Sequence, residues 1–162
     1  SGHICDEYAK RDKRIKVIHD ENMGLLMARR RALQHVKGEY VLFLDSDDYW
    51  EKDLLEIVHK SIFQHPVDMV LFRYRAVNEK NETLYEQKHL LENEEIIESA
   101  GKFLCYKIAT SFEYNAMWMK AIKREVIDIE GDYSSVKEVS MGEDALQTAC
   151  MLSDIKSLST HS

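Results

Sequence analysis

The sequence predicts an α/β fold with a mostly parallel sheet, and three observations support that class. Short apolar segments alternate with amphipathic helical segments along the first half of the chain. One of them, residues 40–44, is apolar without alternation, as in a strand that helices cover on both faces. The 162 residues contain one proline and six glycines, which favours long regular elements. Strands alternating with helices imply right-handed crossovers between parallel strands.

The first half is expected to begin with a helix over residues 4–14, which carry two apolar side chains one helical turn apart. The β-branched residues of 15–18 then predict a short strand. Residues 25–36 follow the 3.6-residue period of an amphipathic helix, and Gly38 stands beyond them as a C-cap. The next elements are a strand over 40–44, a helix over 51–63 that closes at Pro66, and a strand over 68–74.

The second half gives weaker signals. Asn78–Asn81 predicts a turn, because asparagines tolerate turn conformations. The remaining predicted elements are a strand at 83–85, a helix over 94–108 with Ile97, Phe103 and Leu104 on its apolar side, a strand at 116–119, a helix from about 123, a helix over 140–152 and a strand at 155–158.

Composition excludes several classes of protein. The 22 Lys and Arg against 29 Asp and Glu give a net charge of -7, which argues against nonspecific nucleic-acid binding. The longest apolar run is too short to cross a bilayer. Three separated cysteines suit buried thiols in a reducing cytoplasm: Cys5, Cys105 and Cys150. The length leaves room for one domain.

The segment Asp45–Asp48 places three carboxylates in four residues after the apolar strand. Charges so close repel one another unless a cation or strong donors neutralise them. Carboxylate oxygens suit Mg²⁺ or Mn²⁺, which bridge to a substrate diphosphate. Alternatively, Asp48 caps the following helix and the other two carboxylates stabilise its positive end. The spacing favours neither interpretation.

A second acidic pair, Glu143 and Asp144, begins the last predicted helix. Ser140 and Glu143 have the spacing of a capping box, which the residues alone favour over a role for Asp144 as general base. Arg29 follows the apolar stripe of its helix and is expected to point towards the sheet edge. There it either contacts a diphosphate or pairs with one of the carboxylates, whereas Arg30 and Arg31 are expected to be solvated.

Together these segments resemble the bacterial family 2 glycosyltransferases of the GT-A type. The matching residues are IKVIHDENMG at 15–24, Ala28-Arg29, KGEYVLFLDSDD at 37–48, Trp118–Lys120 with Lys123–Glu125, and Gly142–Asp144. The resemblance implies a Rossmann-like three-layer sandwich. It also implies transfer of a sugar, with inversion, from a nucleotide-diphospho-sugar (most commonly a UDP-sugar) to a hydroxyl of a glycan or lipid-linked acceptor.

The resemblance also implies site residues by position. Asp45 would contact the donor's ribose, Asp47 would bind the Mn²⁺ or Mg²⁺ ion that holds the diphosphate, and Arg29 would lie near the nucleotide. Asp144 would be the base that deprotonates the acceptor hydroxyl, with the helix cap fixing its position. The processive-synthase signature Gln-x-x-Arg-Trp is absent, which favours transfer of single sugars.

Two departures from the family pattern are visible. The family continues Ala-Arg with Asn-x-Gly, whereas this chain has Arg30-Arg31-Ala32. The family opens with a strand–helix–strand segment that binds the nucleobase, and nothing here resembles it. We therefore expect residues 1–162 to form a single partial GT-A domain whose nucleobase-binding N-terminal segment and first strands are missing.

Such a fragment is expected to be inactive alone and to self-associate through an exposed sheet edge. The full-length protein is expected in the cytoplasm, peripheral at the inner face of the membrane. The alternative is a non-catalytic binding or assembly domain of the same fold, and a metal-dependent phosphatase is a weaker rival.

Overall fold

A five-stranded mixed sheet organises the part of the chain that the computed structural model describes, namely residues 2–87, 96–110, 114–136 and 142–161. The helices are α1 (Gly2–Arg11), α2 (Gly24–Leu33), α3 (Leu54–Gln64), α4 (Ala100–Thr110) and α5 (Glu143–Cys150). The strands are β1 (Tyr40–Leu42), β2 (Met69–Phe72), β3 (Arg75–Val77), β4 (Thr83–Glu86), β5 (Ile96–Ile97), β6 (Lys120–Lys123) and β7 (Leu158–His161). Short 3₁₀ helices span Met117–Met119, Arg124–Val126 and Ser134–Val136.

The large sheet has the strand order β1-β6-β2-β7-β5. Strands β2 and β7 pair in parallel, whereas β6 lies antiparallel between β1 and β2. Strand β5 pairs antiparallel with β7 at the other edge. Strands β1, β2 and β7 therefore share one direction, but β6 separates β1 from β2 in the opposite sense. Among the described strands only β2 and β7 pair in parallel, so this part of the sheet is mixed and not mostly parallel as expected.

The centre of this sheet is the core of the described chain. All four residues of β2 are buried, and Ala121 and Ile122 of β6 have no exposed surface. Burying each Leu- or Ile-sized side chain stabilises the fold by about 1.5–3 kcal/mol. Val58 and Leu104 pack into the same cluster from α3 and α4. The expected strand at 68–74 is thus confirmed, although it ends at Phe72.

Several predicted elements differ from the structure. Residues 15–18 form no strand, because a β-branched segment becomes one only where a neighbour accepts its ladder hydrogen bonds. Ile97 lies in β5 and not in a helix, and residues 117–119 form a 3₁₀ turn before β6. Helix α2 ends at Leu33 with Gln34 as its C-cap, so Gly38 does not cap it.

The predicted turn at Asn78–Asn81 is confirmed. It joins β3 to β4 in a two-stranded sheet. The side-chain oxygen of Asn78 accepts hydrogen bonds from the backbone N–H groups of Lys80 and Glu82, at 2.9 and 3.0 Å. Asn81 has a φ of 64°, a conformation that asparagine tolerates better than most residues.

Two further expectations concern exposure. The three cysteines are free but exposed, so the expectation of buried thiols is wrong. None of the described helices is both long and apolar enough to cross a membrane.

Arg30 is buried, which corrects the expectation that it is solvated. Its guanidinium donates hydrogen bonds to the carbonyl oxygens of Asp128, Ile129 (2.7 Å) and Gly131 (2.9 Å), and it lies 4.1 Å from the ring centroid of Tyr133. A planar cation with five donors suits three converging carbonyls. The arginine that departs from the family pattern therefore holds the 128–131 loop against α2.

Replacement of Arg30 by alanine is expected to lower the free energy of unfolding by about 2–3 kcal/mol, because three carbonyls lose their donor and Tyr133 loses its cation. Urea denaturation of the variant measures the change. Arg31→Ala is the matched control, since the neighbouring side chain is exposed, and it should change stability little. Equal losses in both variants would contradict the role assigned to Arg30.

Candidate active site

The acidic segment follows β1 at its carboxyl end, where open α/β sheets bind ligands. The chain turns here through a hydrogen bond from the Asp48 N–H to the Asp45 carbonyl, at 3.1 Å. Asp45 is partly buried, whereas Asp47 and Asp48 are exposed. Helix α3 begins only at Leu54, with Asp53 at the N-cap position, so the alternative in which Asp48 caps that helix is wrong.

Arg29 of α2 joins this segment to the last helix. Only 6% of its side chain is exposed. One guanidinium nitrogen donates to Oδ1 of Asp144, and the other donates to Oδ1 of Asp45 at 2.9 Å. Of the two alternatives for Arg29, the structure therefore shows pairing, and with two carboxylates at once. Burial opposes the charge of Arg29, but the hydrogen bonds to Asp144 and Asp45 outweigh it and raise its pKa.

Asp144 is held from two sides. It lies in the first turn of α5, where the helix dipole stabilises a negative charge. Its Oδ2 accepts a hydrogen bond from the Met117 N–H at 3.2 Å, while Arg29 holds Oδ1. Gly142 occupies the N-cap position with a φ of 90°, a conformation that glycine adopts readily. The predicted capping box includes Ser140, which lies outside the described residues.

A cleft of about 760 Å³ opens beside Asp47 and Asp48. Its walls come from the segment after the acidic turn, from β2 and the β3–β4 hairpin, and from Trp118. Tyr74 meets Trp118 edge to face in this wall, with ring centroids 4.7 Å apart. Arg29, Asp45 and Asp144 do not line the cleft, but Met117, which binds Asp144, directly precedes Trp118. The sequence predicts the turn of this hairpin but not that the hairpin lines a cleft, because residues 75–86 carry no motif of a binding site.

The acidic segment retains unneutralised charge. Neither Asp47 nor Asp48 forms a salt bridge within the described part of the chain. Burial and the charges of Asp47 and Asp45 raise the pKa of Asp48. No group of three or more His, Cys, Asp and Glu side chains among the described residues is arranged to hold a metal ion by itself. Two adjacent carboxylates fit Mg²⁺ or Mn²⁺ when phosphate oxygens and water supply the other ligands.

Comparison with known proteins identifies the family. Residues 1–128 match the family described as Glycosyl transferase family 2. The chain belongs to this family. Glycosyltransferase GlyA of Streptococcus pneumoniae is 40% identical over 85 residues, which cover 52% of this chain and 12% of GlyA. The cholesterol galactosyltransferase of Borreliella burgdorferi is 29% identical over 134 residues, which cover 76% of this chain and 36% of that protein.

The fold of this chain is also found in a solved structure. S. aureus TarS, crystallised in complex with UDP, superposes with a TM-score of 0.71 and 23% sequence identity. The match covers 99% of this chain and 44% of the TarS chain, and it shows the expected GT-A fold. The chain thus spans less than half of each of these three proteins.

Within the family 2 domain, the structure brings together three of the four predicted site residues. Arg29, Asp45 and Asp144 form one ion-pair cluster although they are up to 115 positions apart. Asp47 lies on the other side of the acidic turn, facing the cleft. The sequence contained a usable signal for the cluster, namely an arginine beside an apolar helical stripe.

Loss of the Arg29 bridge is expected to destabilise the fold. Arg29→Ala leaves two partly buried carboxylates without a cation and should lower the free energy of unfolding by about 2–4 kcal/mol. Arg14→Ala is a matched control, because Arg14 also pairs with an aspartate but is exposed, and its loss should change stability little. Urea denaturation measures the free energy of unfolding of both variants. Equal values for the two variants would contradict a stabilising role for the buried bridge.

Proposed function

We propose that this chain carries the reaction centre for transfer of a sugar from a nucleotide-diphospho-sugar to an acceptor hydroxyl, with inversion and with Mn²⁺ or Mg²⁺. The observation that carries the proposal is the Arg29 bridge. It joins Asp45, after β1, to Asp144, at the start of α5. Structures of S. aureus TarS with UDP and with UDP-GlcNAc, which share this fold, support a UDP-sugar as the donor.

The donor side is assigned to the acidic segment. Asp47 and Asp48 offer exposed carboxylate oxygens to the divalent cation, and Asp45 is assigned to the ribose. When bound, the cation neutralises the charge that develops on the departing diphosphate. Arg29 holds Asp45 in place and adds a positive charge beside the nucleotide, as an arginine does for phosphates in general.

The acceptor side is assigned to Asp144 and the neighbouring cleft. Asp144 takes the proton of the acceptor hydroxyl while the acceptor oxygen bonds to the anomeric carbon. The bond from that carbon to the diphosphate oxygen breaks, and its electron pair leaves with the diphosphate. Attack from the opposite face inverts the anomeric centre. The aromatic wall at Trp118 suits a sugar-bearing glycan or lipid-linked acceptor, since aromatic rings bury large apolar area.

Proton transfer to Asp144 requires an exchange of hydrogen bonds. Both of its oxygens are engaged, one by Arg29 and one by the Met117 N–H. The phosphates of a bound donor compete for Arg29, because a guanidinium binds phosphate as readily as carboxylate. Donor binding therefore frees Asp144 for the acceptor hydroxyl.

These activities are proposed for the full-length protein, since residues 1–162 span only part of its relatives. The isolated chain is proposed to be a partial domain, inactive alone. The full-length enzyme is proposed to work in the cytoplasm, at the inner face of the membrane.

Asp47→Asn and Asp144→Asn in the full-length protein are each expected to lower kcat by at least about 100-fold, because one loses a cation ligand and the other its base. Only Asp47→Asn should also weaken metal-dependent donor binding. Steady-state assays with a UDP-sugar and Mn²⁺ measure both effects. Asp154→Asn is the matched control, because Asp154 is exposed and does not line the cleft, and it should retain activity.

Full activity in either Asp47→Asn or Asp144→Asn would contradict the assigned roles. Titration of residues 1–162 with UDP-sugar and Mn²⁺ is expected to give little or no signal. Micromolar, Mn²⁺-dependent binding would contradict the partial-domain proposal. Donor binding by the full-length protein without transfer would favour the non-catalytic alternative, and hydrolysis of a simple phosphoester would favour the phosphatase.

Self-association of residues 1–162 is the second part of the proposal. Strand β1 ends the described sheet, and no described strand pairs with its outer edge. Unpaired edges recruit strands from other chains. Light scattering over a wide concentration range is expected to show dimers or larger species. A strict monomer at the highest concentration would contradict this expectation.

A further inference from the structure

We infer that Lys120 is a positioning residue for Asp144, and this inference rests on the proposed role of Asp144 as the base. Lys120 opens β6, the strand that lies between β1 and β2, and its side chain is fully buried. Its ammonium donates hydrogen bonds to the carbonyl oxygens of Tyr114, Asn115 and Ala116 at 2.7, 3.0 and 2.7 Å. A fourth contact, at 3.1 Å, reaches Oγ1 of Thr148 on α5.

The burial of this ammonium is costly. Among the described residues, no carboxylate lies within hydrogen-bond distance of it, and removal of a charge from water is unfavourable even when carbonyls replace the water. Burial lowers the pKa of Lys120 to about 7, against the attraction of Asp144 and together with the repulsion of Arg29. Apolar residues often stabilise such positions better than a charge does. The benefit of the lysine therefore lies in the backbone that it orders.

That backbone leads directly to Asp144. The three carbonyls belong to the turn before Met117, and the Met117 N–H donates to Oδ2 of Asp144 at 3.2 Å. Because three of its carbonyls converge on one ammonium, the turn is restrained in the conformation seen here. This conformation aims the Met117 N–H at the carboxylate.

The helix that carries Asp144 is fixed by the same ammonium. Thr148 lies one helical turn after Asp144 and therefore on the same face of α5. Its hydroxyl oxygen lies 3.1 Å from the ammonium nitrogen, whose three N–H groups are shared among four oxygens, and the hydroxyl donates to the Asn115 carbonyl at 3.1 Å. Lys120 thus connects both elements that place Asp144: the helix that bears it and the turn that binds it. Arg29 holds the opposite side of the carboxylate.

Removal of the ammonium should misplace the base without affecting the donor site. Asp47 faces the cleft from the acidic turn and makes no contact with Lys120. A displacement of about 1 Å in a reacting group costs roughly 100-fold in rate. The effect should therefore appear in kcat and leave the KM for the donor nearly unchanged.

The test uses steady-state kinetics of the full-length enzyme with a UDP-sugar and Mn²⁺. Lys120→Met keeps the length and the apolar stem but removes the donors, and it is expected to lower kcat by about 100-fold while the donor KM changes by less than about threefold. Ile122→Val is the matched control, because Ile122 lies on the same strand and is buried to the same extent, and this variant should keep kcat. An unchanged kcat in Lys120→Met would overturn the inference.

A double variant separates positioning from general support of the fold. If Lys120 acts through Asp144, Lys120→Met combined with Asp144→Asn should be no slower than Asp144→Asn alone. If the double variant instead lost kcat by the product of the two single losses, the positioning role would be overturned and the base assignment would stand. Full activity of Asp144→Asn would instead overturn the proposed function.

Thr148→Val keeps the test decisive if Lys120→Met does not fold. It is nearly isosteric and removes only the hydroxyl that connects α5 to the ammonium. A loss of kcat of about 5- to 10-fold at unchanged donor KM is expected, as for a lost hydrogen bond that positions a reacting group. Wild-type kcat in this variant would overturn the inference.

Discussion

The buried guanidinium of Arg29 is the constraint on which the rest of the site depends. The guanidinium is almost removed from water and meets a carboxylate at each of its terminal nitrogens, and the two carboxylates come from distant parts of the chain. Asp45 arrives after β1 and Asp144 arrives at the start of α5. Their meeting at Arg29 fixes the relative positions of α2, the acidic turn and the last helix.

Two other buried cations order the loops around this cluster. Arg30 gathers the carbonyls of the 128–131 loop, and Lys120 gathers those of the 114–116 turn. Both side chains use backbone oxygens, which carry partial negative charge, as acceptors. They therefore do not compete with Arg29 for the carboxylates of Asp45 and Asp144. These two basic side chains are thus held by backbone oxygens, whereas the carboxylates of Asp47 and Asp48 stay exposed at the cleft.

The limits of prediction follow from how each signal arises. Strand β2 and the turn at 78–81 were predictable, because a run of buried apolar residues and an asparagine-rich turn are local properties. The antiparallel insertion of β6 between β1 and β2 was not, since strand order depends on pairing between distant segments. The same dependence explains why residues 15–18 form no strand despite their β-branched side chains, because no described strand pairs with them.

By itself, the sequence predicted the α/β class, the family resemblance and four candidate site residues, of which Arg29, Asp45 and Asp144 meet in the structure. These are carried by local patterns, such as the acidic turn after an apolar strand. Only the tertiary structure decided that Arg29 pairs with two carboxylates at once, that Arg30 is buried, and that Lys120 lies behind Asp144. The physical reason is that a buried charge is stabilised by whichever oxygens the fold brings to it, and those oxygens are remote in sequence.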